Sequence, residues 1–288
     1  MNALAERTKR LLELLGHDEE PFGMFYSEVK PTGGFGPKGG ETFSREREAA
    51  GEIDWQKALD NFSCFIGNIW QARKKKKAAW LSHDACGCMG AGFFSGMYRP
   101  YLEANIHYVS TGTRNMLIEG EYYLPTPESM RSFMNDTTPA PAGAKYCVIK
   151  PLGQFTQEEE PLVVVFFARP ETLNGLHSLT CFATGSHLAV VTPFSTGCGS
   201  IIAWPLVYQR RGEERAVLGG FDIAARKFLK TDELIFSVPF ALYGKMLDAM
   251  EDSVLTRGIW QQEVRQKVVS SQRIWSKEEK GEKNQRNV

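Results

Sequence analysis

Hydrophobic residues along this chain show two patterns. Some recur at the spacing of a helix, and others form short unbroken runs. Residues 2–16 place four leucines on one face and end at Gly16, which predicts an amphipathic helix. The sequence PFGMFYSEV (21–29) predicts a strand, and AAWLSHDA (78–85) predicts another. Residues 54–77 carry a second apolar stripe and are expected to form one continuous helix.

The clearest pattern lies in residues 161–205. PLVVVFFAR (161–169) is an unbroken apolar run, which is typical of a strand buried on both faces. PETLNGLHSLTCFATG (170–185) begins with proline and ends with glycine, as helices often do, and SHLAVVTPF (186–194) predicts a second strand. A strand, a helix and a strand at this spacing predict a parallel crossover unit. We therefore expect a mixed α/β fold whose central mixed sheet contains at least one such unit and is flanked by helices.

The length of 288 residues suits one α/β domain over residues 1–275. A division into two interlocked halves, about 1–140 and 141–275, is the alternative. Residues 276–288 are strongly polar and predict a disordered tail. The glycine-rich stretch at 30–46 predicts a mobile loop, and a lid is one role it could serve.

The charge balance and the hydropathy of the chain argue against some classes of function. Lysine plus arginine equals aspartate plus glutamate at 34 each, which argues against a dedicated nucleic-acid binder. No apolar run is long enough to span a membrane, and the N-terminus lacks the features of a secretory signal, so we expect a cytoplasmic protein without membrane contact. The cysteines are then expected to be thiols, metal ligands or redox groups. A homo-oligomer is left open.

Two cysteine–glycine segments are the main candidates for chemistry. Loop one is residues 82–92 (SHDACGCMGAG) and loop two is residues 194–200 (FSTGCGS). Each is predicted to follow a strand and to open a helix, where ligands bind in open α/β sheets. Glycine allows the backbone to approach a ligand closely, and a helix N-terminus favours a thiolate. The glycines expected to contact a cofactor are Gly87, Gly90, Gly92, Gly197 and Gly199.

Cys64, Cys86, Cys88 and Cys198 are the expected metal ligands, because thiolates bind zinc or an iron–sulfur cluster. Their spacing leaves two alternatives open. The first is a metal-free protein that binds a small ligand, an anion or a nucleotide, through backbone N–H groups. The second is a thiol enzyme with Cys198 as nucleophile and His83 or a carboxylate as base. Whether the protein is an enzyme is left undecided.

The order of several segments resembles a known family. These segments are SCFIGNIWQA, HDACGCMGAGFF, VVVFFARPETLNGL, FSTGCGS and ELIFSVPF. Together they resemble the prokaryotic domain-of-unknown-function family 169, over roughly residues 8 to 255. The resemblance implies a cytoplasmic α/β protein with recurrent cysteines matching Cys64, Cys86 and Cys198. It implies no particular activity.

Overall fold

Seven strands form one mixed sheet in the computed structural model, which describes residues 3–37, 45–85, 87–98, 102–112 and 119–266. The strands are β1 (Phe22–Ser27), β2 (Ala79–Ser82), β3 (Tyr146–Pro151), β4 (Val163–Ala168), β5 (Val190–Val191), β6 (Ala216–Gly219) and β7 (Leu234–Pro239). Their order across the sheet is β2-β3-β1-β4-β7-β6-β5. Neighbouring strands are antiparallel except β5 and β6, which are parallel. The predicted mixed α/β fold is confirmed.

Helices cover both faces of this sheet. The helices are α1 (Ala3–Leu15), α2 (Arg45–Ala49), α3 (Trp55–Asp60), α4 (Phe65–Lys75), α5 (Met89–Phe94), α6 (Glu103–Val109), α7 (Pro127–Asp136), α8 (Pro170–Thr184), α9 (Trp204–Arg210), α10 (Ile223–Arg226) and α11 (Phe240–Ala249). Short helical turns occur at Leu152–Gln154, Gly199–Ala203, Val254–Thr256 and Ile259–Val264. One apolar core lies between the sheet and α4, α5, α6 and α7, and a second lies between the sheet and α1, α8 and α11. None of the described helices has the length and apolar content needed to cross a bilayer.

Strand β4 explains why the apolar run at 161–169 is unbroken. All of its residues are buried. Val163, Val165 and Phe167 point into the first core, whereas Val164, Phe166 and Ala168 point into the second. Since successive side chains of a strand face opposite ways, a strand between two helical layers has no polar positions. The prediction of a strand buried on both faces is confirmed.

The predicted strand–helix–strand unit is present as β4, α8 and β5. Pro170 is the first residue of α8, and Gly185 ends the helix at a φ of 67°. The pairings through β7 and β6 make β4 and β5 run in the same direction, with those two strands between them. The second strand is much shorter than SHLAVVTPF, because only Val190 and Val191 pair with β6.

The prediction of one continuous helix over residues 54–77 is wrong. The chain forms α3 and α4 there, separated at residues 61–64. The amide of Ser63 donates to the carbonyl of Gly87 at 3.0 Å, a bond to loop one that diverts the backbone from a helical path. As a result, Cys64 lies immediately before α4 instead of within a helix.

Part of the glycine-rich stretch is docked on the edge of the sheet. The amide of Phe35 donates to the carbonyl of Ala78 at 2.8 Å, and that of Trp80 donates to Phe35 at 2.9 Å. A Cβ at Gly36 would lie 2.2 Å from the Trp80 ring, so this contact requires glycine. Residues 38–44 of the predicted loop, and the predicted tail at 276–288, lie outside the described residues.

Candidate functional site

The parallel strands β5 and β6 direct two segments to the same end of the sheet. Loop two follows β5, and residues 220–223 follow β6. Because the strands are parallel neighbours, their carboxyl ends lie side by side. Loop two therefore lies where an open α/β sheet places its ligands, and its neighbour there is the segment after β6.

The helix that begins in loop two is capped by protein groups. The Thr196 hydroxyl accepts from the Gly199 amide at 3.3 Å, and the Thr196 carbonyl accepts from Ser200 at 3.0 Å. The Gly197 amide donates to Oδ2 of Asp222 at 2.8 Å. A carboxylate at this position also interacts favourably with the helix dipole. The protein thus supplies its own anion at a helix start where an anionic ligand was expected.

Asp222 links loop two to a second acidic side chain. It is only 7% exposed, and its Oδ1 accepts a hydrogen bond from the Tyr123 hydroxyl. Burial, followed by the charge of Asp222, raises the pKa of Glu121 from its ordinary 4.5 to about 7. The Tyr108 hydroxyl donates to Oε1 of Glu121 at 3.4 Å. The two carboxyl groups are therefore electrostatically coupled, and Glu121 titrates near neutral pH.

A cavity of about 230 Å³ opens beside these residues. Its lining combines hydroxyl groups, one carboxylate and apolar side chains: Tyr123, Thr192, Pro193, Phe194, Ser195, Ser200, Phe221, Asp222 and Ile223. Within the described part of the chain, the buried Ser195 hydroxyl has no hydrogen-bond partner. An unpaired buried hydroxyl costs about 1–3 kcal/mol, so the wall of the cavity includes a polar atom that the described part of the fold leaves unsatisfied.

Apolar side chains form the rim of the cavity. Phe221 and Ile223 are 55% and 72% exposed, and Phe194 is 41% exposed. The ring of Phe194 packs edge-on against Tyr123 and Phe133, with centroids 5.7 and 5.0 Å apart. Neighbouring aromatic rings therefore hold Phe194 in place while part of it faces solvent.

The turns that carry Cys64, Cys88 and Cys198 approach one another on one face of the sheet. Cys64 and Cys88 directly precede α4 and α5, and Cys198 precedes the turn at Gly199–Ala203. The bond between Ser63 and Gly87 joins the first two turns. A Cβ at Gly199 would lie 3.3 Å from Phe94, so α5 also packs against loop two. Cys86 lies outside the described residues.

The chemical setting of these thiols is largely apolar. Cys198 is buried, and Cys64 and Cys88 are half-buried against the same core. Burial raises the pKa of the Cys64 thiol, and hydrogen bonds from the Gly67 and Ile66 amides oppose this rise only in part. The pKa of the Tyr108 hydroxyl is also raised. Burial is the main cause, followed by the charges of Glu121 and Cys88. Within the described residues, no group of three or more His, Cys, Asp or Glu side chains is arranged to hold a metal.

The glycines of both loops have contacts within the protein. A Cβ would lie 2.9 Å from Ile66 at Gly197 and 2.0 Å from the Ser195 hydroxyl at Gly199. Gly87 has a φ of 65°, which favours glycine in a turn. Gly90 and Gly92 lie inside α5. Close packing and turn geometry therefore account for Gly87, Gly197 and Gly199 without a cofactor, while cofactor contact by the five glycines stays a prediction.

Loop one and loop two do not leave the same end of the sheet. Five antiparallel pairings separate β2 from β6, so β2 runs opposite to β6 and to its parallel partner β5. The carboxyl ends of parallel strands therefore do not bring these two loops together. The two loops come together instead because α5 and the helix after loop two pack on the same face.

Other predicted groups lie apart from the cavity. His83 is exposed, with Nδ1 3.5 Å from Asp84 Oδ1. Cys147 is fully buried. Cys181 is half-buried, with its sulfur 3.9 Å from Nδ1 of His177.

Sequence reasoning missed Glu121, Tyr123 and Asp222. The signal for Asp222 was present, because Asp222 stands next to an aromatic residue just after the short apolar run AVLG (216–219). Glu121 and Tyr123 lie in GEYY, which follows no predicted strand. Their role depends on their approach to Asp222, which the sequence pattern does not encode.

The fold and the candidate site place this chain in the class of mixed α/β proteins. The protein has helices on both faces of the sheet and a small cavity at the carboxyl ends of the parallel strands. The chain belongs to the family DUF169, described as "Uncharacterised ArCR", which matches residues 10–249. This confirms the resemblance in the sequence. The chain matches no curated protein and no solved structure.

Proposed function

We propose that this chain is a small-molecule-binding protein and that the cavity beside loop two is its binding site. The observation that carries the proposal is the position of this cavity at the carboxyl ends of β5 and β6. Ligand sites of α/β proteins lie there, with apolar walls and a few converging polar groups. Here Phe194 and Phe221 supply the walls, and Asp222 and Ser195 supply the polar groups.

The size and charge of the cavity limit its ligand. Its volume of about 230 Å³ is below the roughly 300–1,000 Å³ of pockets for drug-sized ligands, so a nucleotide is disfavoured. An anion is disfavoured as well, because the carboxylate of Asp222 already accepts the Gly197 amide. The proposal keeps the metal-free alternative drawn from the sequence and replaces its ligand class. The cytoplasmic location stays part of the proposal.

A variant whose cavity is blocked tests the proposed binding of a small molecule. Thr192 is exposed and lines the cavity, so Thr192→Trp should fill the opening without disturbing the core. Thr231→Trp, at an exposed threonine outside the lining, is the matched control. A thermal-shift panel of amines, organic acids, sugars and nucleotides should give hits with the wild type and the control that Thr192→Trp loses. Hits that persist in Thr192→Trp, or a panel without hits, would contradict the proposal.

A metal centre is the second candidate function, with zinc or an iron–sulfur cluster held by Cys64, Cys86, Cys88 and Cys198. The observation in its favour is the Ser63–Gly87 hydrogen bond, which places the Cys64 turn beside the segment between Cys86 and Cys88. Thiolates are the ligands that both centres prefer. Cys198 as an enzymatic nucleophile is less well supported, since the residue is only 7% exposed.

Metal analysis separates this candidate from the first. Anaerobically purified protein should contain about one equivalent of metal or cluster per chain, and Cys64→Ser and Cys88→Ser should each lose it. Cys181→Ser is the control, because α8 packs on the opposite face of the sheet. Equal and low metal content in all four proteins would remove the candidate.

A further inference from the structure

The C-terminal end of α4 carries a run of basic residues. Residues 73–77 read RKKKK, with Lys75 as the last residue of the helix. A helix C-terminus favours basic side chains because it carries a partial negative charge, but this effect falls off within the last turn. It therefore does not account for Lys76 and Lys77, whose charges add to those of the preceding lysines and repel them.

The arginine of this run is used inside the protein, whereas the lysines are not. The side chain of Arg73 is 8% exposed, and its guanidinium donates to the carboxylates of Glu19 and Glu233 at 2.6 to 2.8 Å. Residues 74–77 are all exposed. Within the described part of the chain, none of these lysines forms an ion pair or donates a side-chain hydrogen bond. Four positive charges thus face solvent with no acidic partner among the described residues.

Aromatic rings adjoin these charges. The Nζ of Lys74 lies 4.4 Å from the centre of the Trp70 ring, which precedes it by one helical turn. Trp70 is 39% exposed, and its ring centre lies 6.2 Å from that of Phe228. The Nζ of Lys227 lies 5.2 Å from the centre of the Phe228 ring. These two rings, Lys227 and residues 74–77 form one surface, which we call the lysine patch.

We infer that the lysine patch is a docking surface for an acidic segment of a partner protein. Carboxylates of that segment pair with residues 74–77 and Lys227, because complementary charges steer and orient two binding partners. An apolar side chain of the segment lies against Trp70 and the apolar stems of the lysines. The inference does not rest on the proposed function, since no residue of the patch lines the cavity beside loop two.

Charge complementarity requires an anionic partner, and three observations favour a protein. Lys74 and Lys227 lie over the ring faces on which a nucleobase would stack. Arg73, whose planar guanidinium suits phosphate best, is engaged by two carboxylates. Among the described residues of α4, Trp70 is the only exposed large apolar side chain, which gives little surface to insert into a lipid interface.

Probes of different chemistry test the class of partner on the whole chain. Fluorescence anisotropy measures binding of a short labelled peptide of repeated Glu-Glu-Phe, of its Gln-Gln-Phe counterpart and of oligothymidylate, and co-sedimentation measures binding to phosphatidylglycerol vesicles. Each exposed ion pair changes a binding constant by up to about fivefold, so the acidic peptide should bind at least about tenfold more tightly than the neutral one. Added salt should weaken this binding.

Several results with these probes would overturn the inference. They are the absence of peptide binding, equal binding of the neutral peptide, and tighter binding of oligothymidylate or of the vesicles than of the acidic peptide. The last two would identify the partner as a nucleic acid or a lipid surface instead.

Two matched variants locate the binding. The patch variant combines Lys74→Gln, Lys75→Gln and Lys77→Gln. The control variant removes the same charge from exposed lysines outside the patch, by Lys9→Gln, Lys145→Gln and Lys245→Gln. All six side chains are exposed, so both variants are expected to fold, which thermal unfolding checks. The patch variant should bind the acidic peptide at least about tenfold more weakly, and the control should bind as the wild type does. No loss in the patch variant, or an equal loss in both, would overturn the inference.

Substitution of the tryptophan tests the aromatic part of the patch. Trp70→Ser should weaken binding of the acidic peptide several-fold, whereas Phe182→Ser, at an exposed ring on α8, should not. Unchanged binding in Trp70→Ser would refute a partner seated against this ring. Thr192→Trp should leave peptide binding unchanged, and a loss there would place the peptide in the cavity and overturn the inference. The proposed function is tested separately, because the small-molecule panel does not depend on the lysine patch.

Discussion

Replacing Glu121 with glutamine should stabilise this protein at alkaline pH. The folded protein holds the Glu121 proton more tightly than the unfolded chain does, because the pKa rises from 4.5 to about 7 on folding. Wild-type stability should therefore fall as pH rises from about 4.5 to about 7 and then level off. Glu121→Gln cannot ionise, so it should escape this loss.

The size of the effect follows from the same pKa. A rise from 4.5 to about 7 corresponds to about 3.4 kcal/mol at 1.36 kcal/mol per pH unit. Glu121 is only partly buried, and water screens charges at such positions. We therefore expect the variant to gain about 1–2 kcal/mol over the wild type between acidic and alkaline pH.

Urea unfolding at about pH 5 and about pH 8 measures this difference. Tyr108→Phe provides a control of opposite sign. The Tyr108 hydroxyl favours the ionised form of Glu121, so removing it should make the loss of stability with pH slightly larger. If the wild type and Glu121→Gln lose the same stability between the two pH values, the coupling of Glu121 to burial and to Asp222 is refuted.

Three other changes test the fold. Arg73→Met should cost about 3 kcal/mol in urea unfolding, because it removes the closest partner of Glu19 and of the fully buried Glu233 and leaves them, among the described residues, only Lys230 at 3.6–3.7 Å. Arg169→Met, in an exposed pair, should cost under about 1 kcal/mol. Gly96→Ala should lower the melting temperature more than Gly212→Ala. Both have positive φ, but only at Gly96 would the Cβ lie 2.1 Å from a carbonyl oxygen. Thr126→Ala should cost about 1 kcal/mol by removing the capping box of α7, and an unchanged unfolding midpoint would contradict that role.

Local patterns in the sequence determined several elements of the fold. The unbroken apolar run at 161–169 predicted β4, and proline and glycine predicted both ends of α8. These signals work because burial and helix capping depend on residues within a few positions of each other. β3 and α7 went unpredicted, although Thr126 and Ser129 form a capping box that marks the start of α7.

Part of the candidate site was also visible in the sequence. Loop two was expected after a strand and before a helix, and the structure places it there. The cysteines were given the main role because thiols are the most reactive groups in these loops. That emphasis overlooked the carboxylates, since a lone aspartate in a loop gives no sign of its partners.

Only the tertiary structure decided how the site is assembled. Asp222 binds Gly197 across 25 positions of sequence and Tyr123 across 99. The break before Cys64 depends on a hydrogen bond to Gly87 in another segment. The order of the strands also makes loop one and loop two leave opposite ends of the sheet, and they meet only because α5 packs against loop two. Local spacing specifies which residues become buried, whereas charge coupling and cavity shape arise from contacts between distant segments, which no pattern within a single segment encodes.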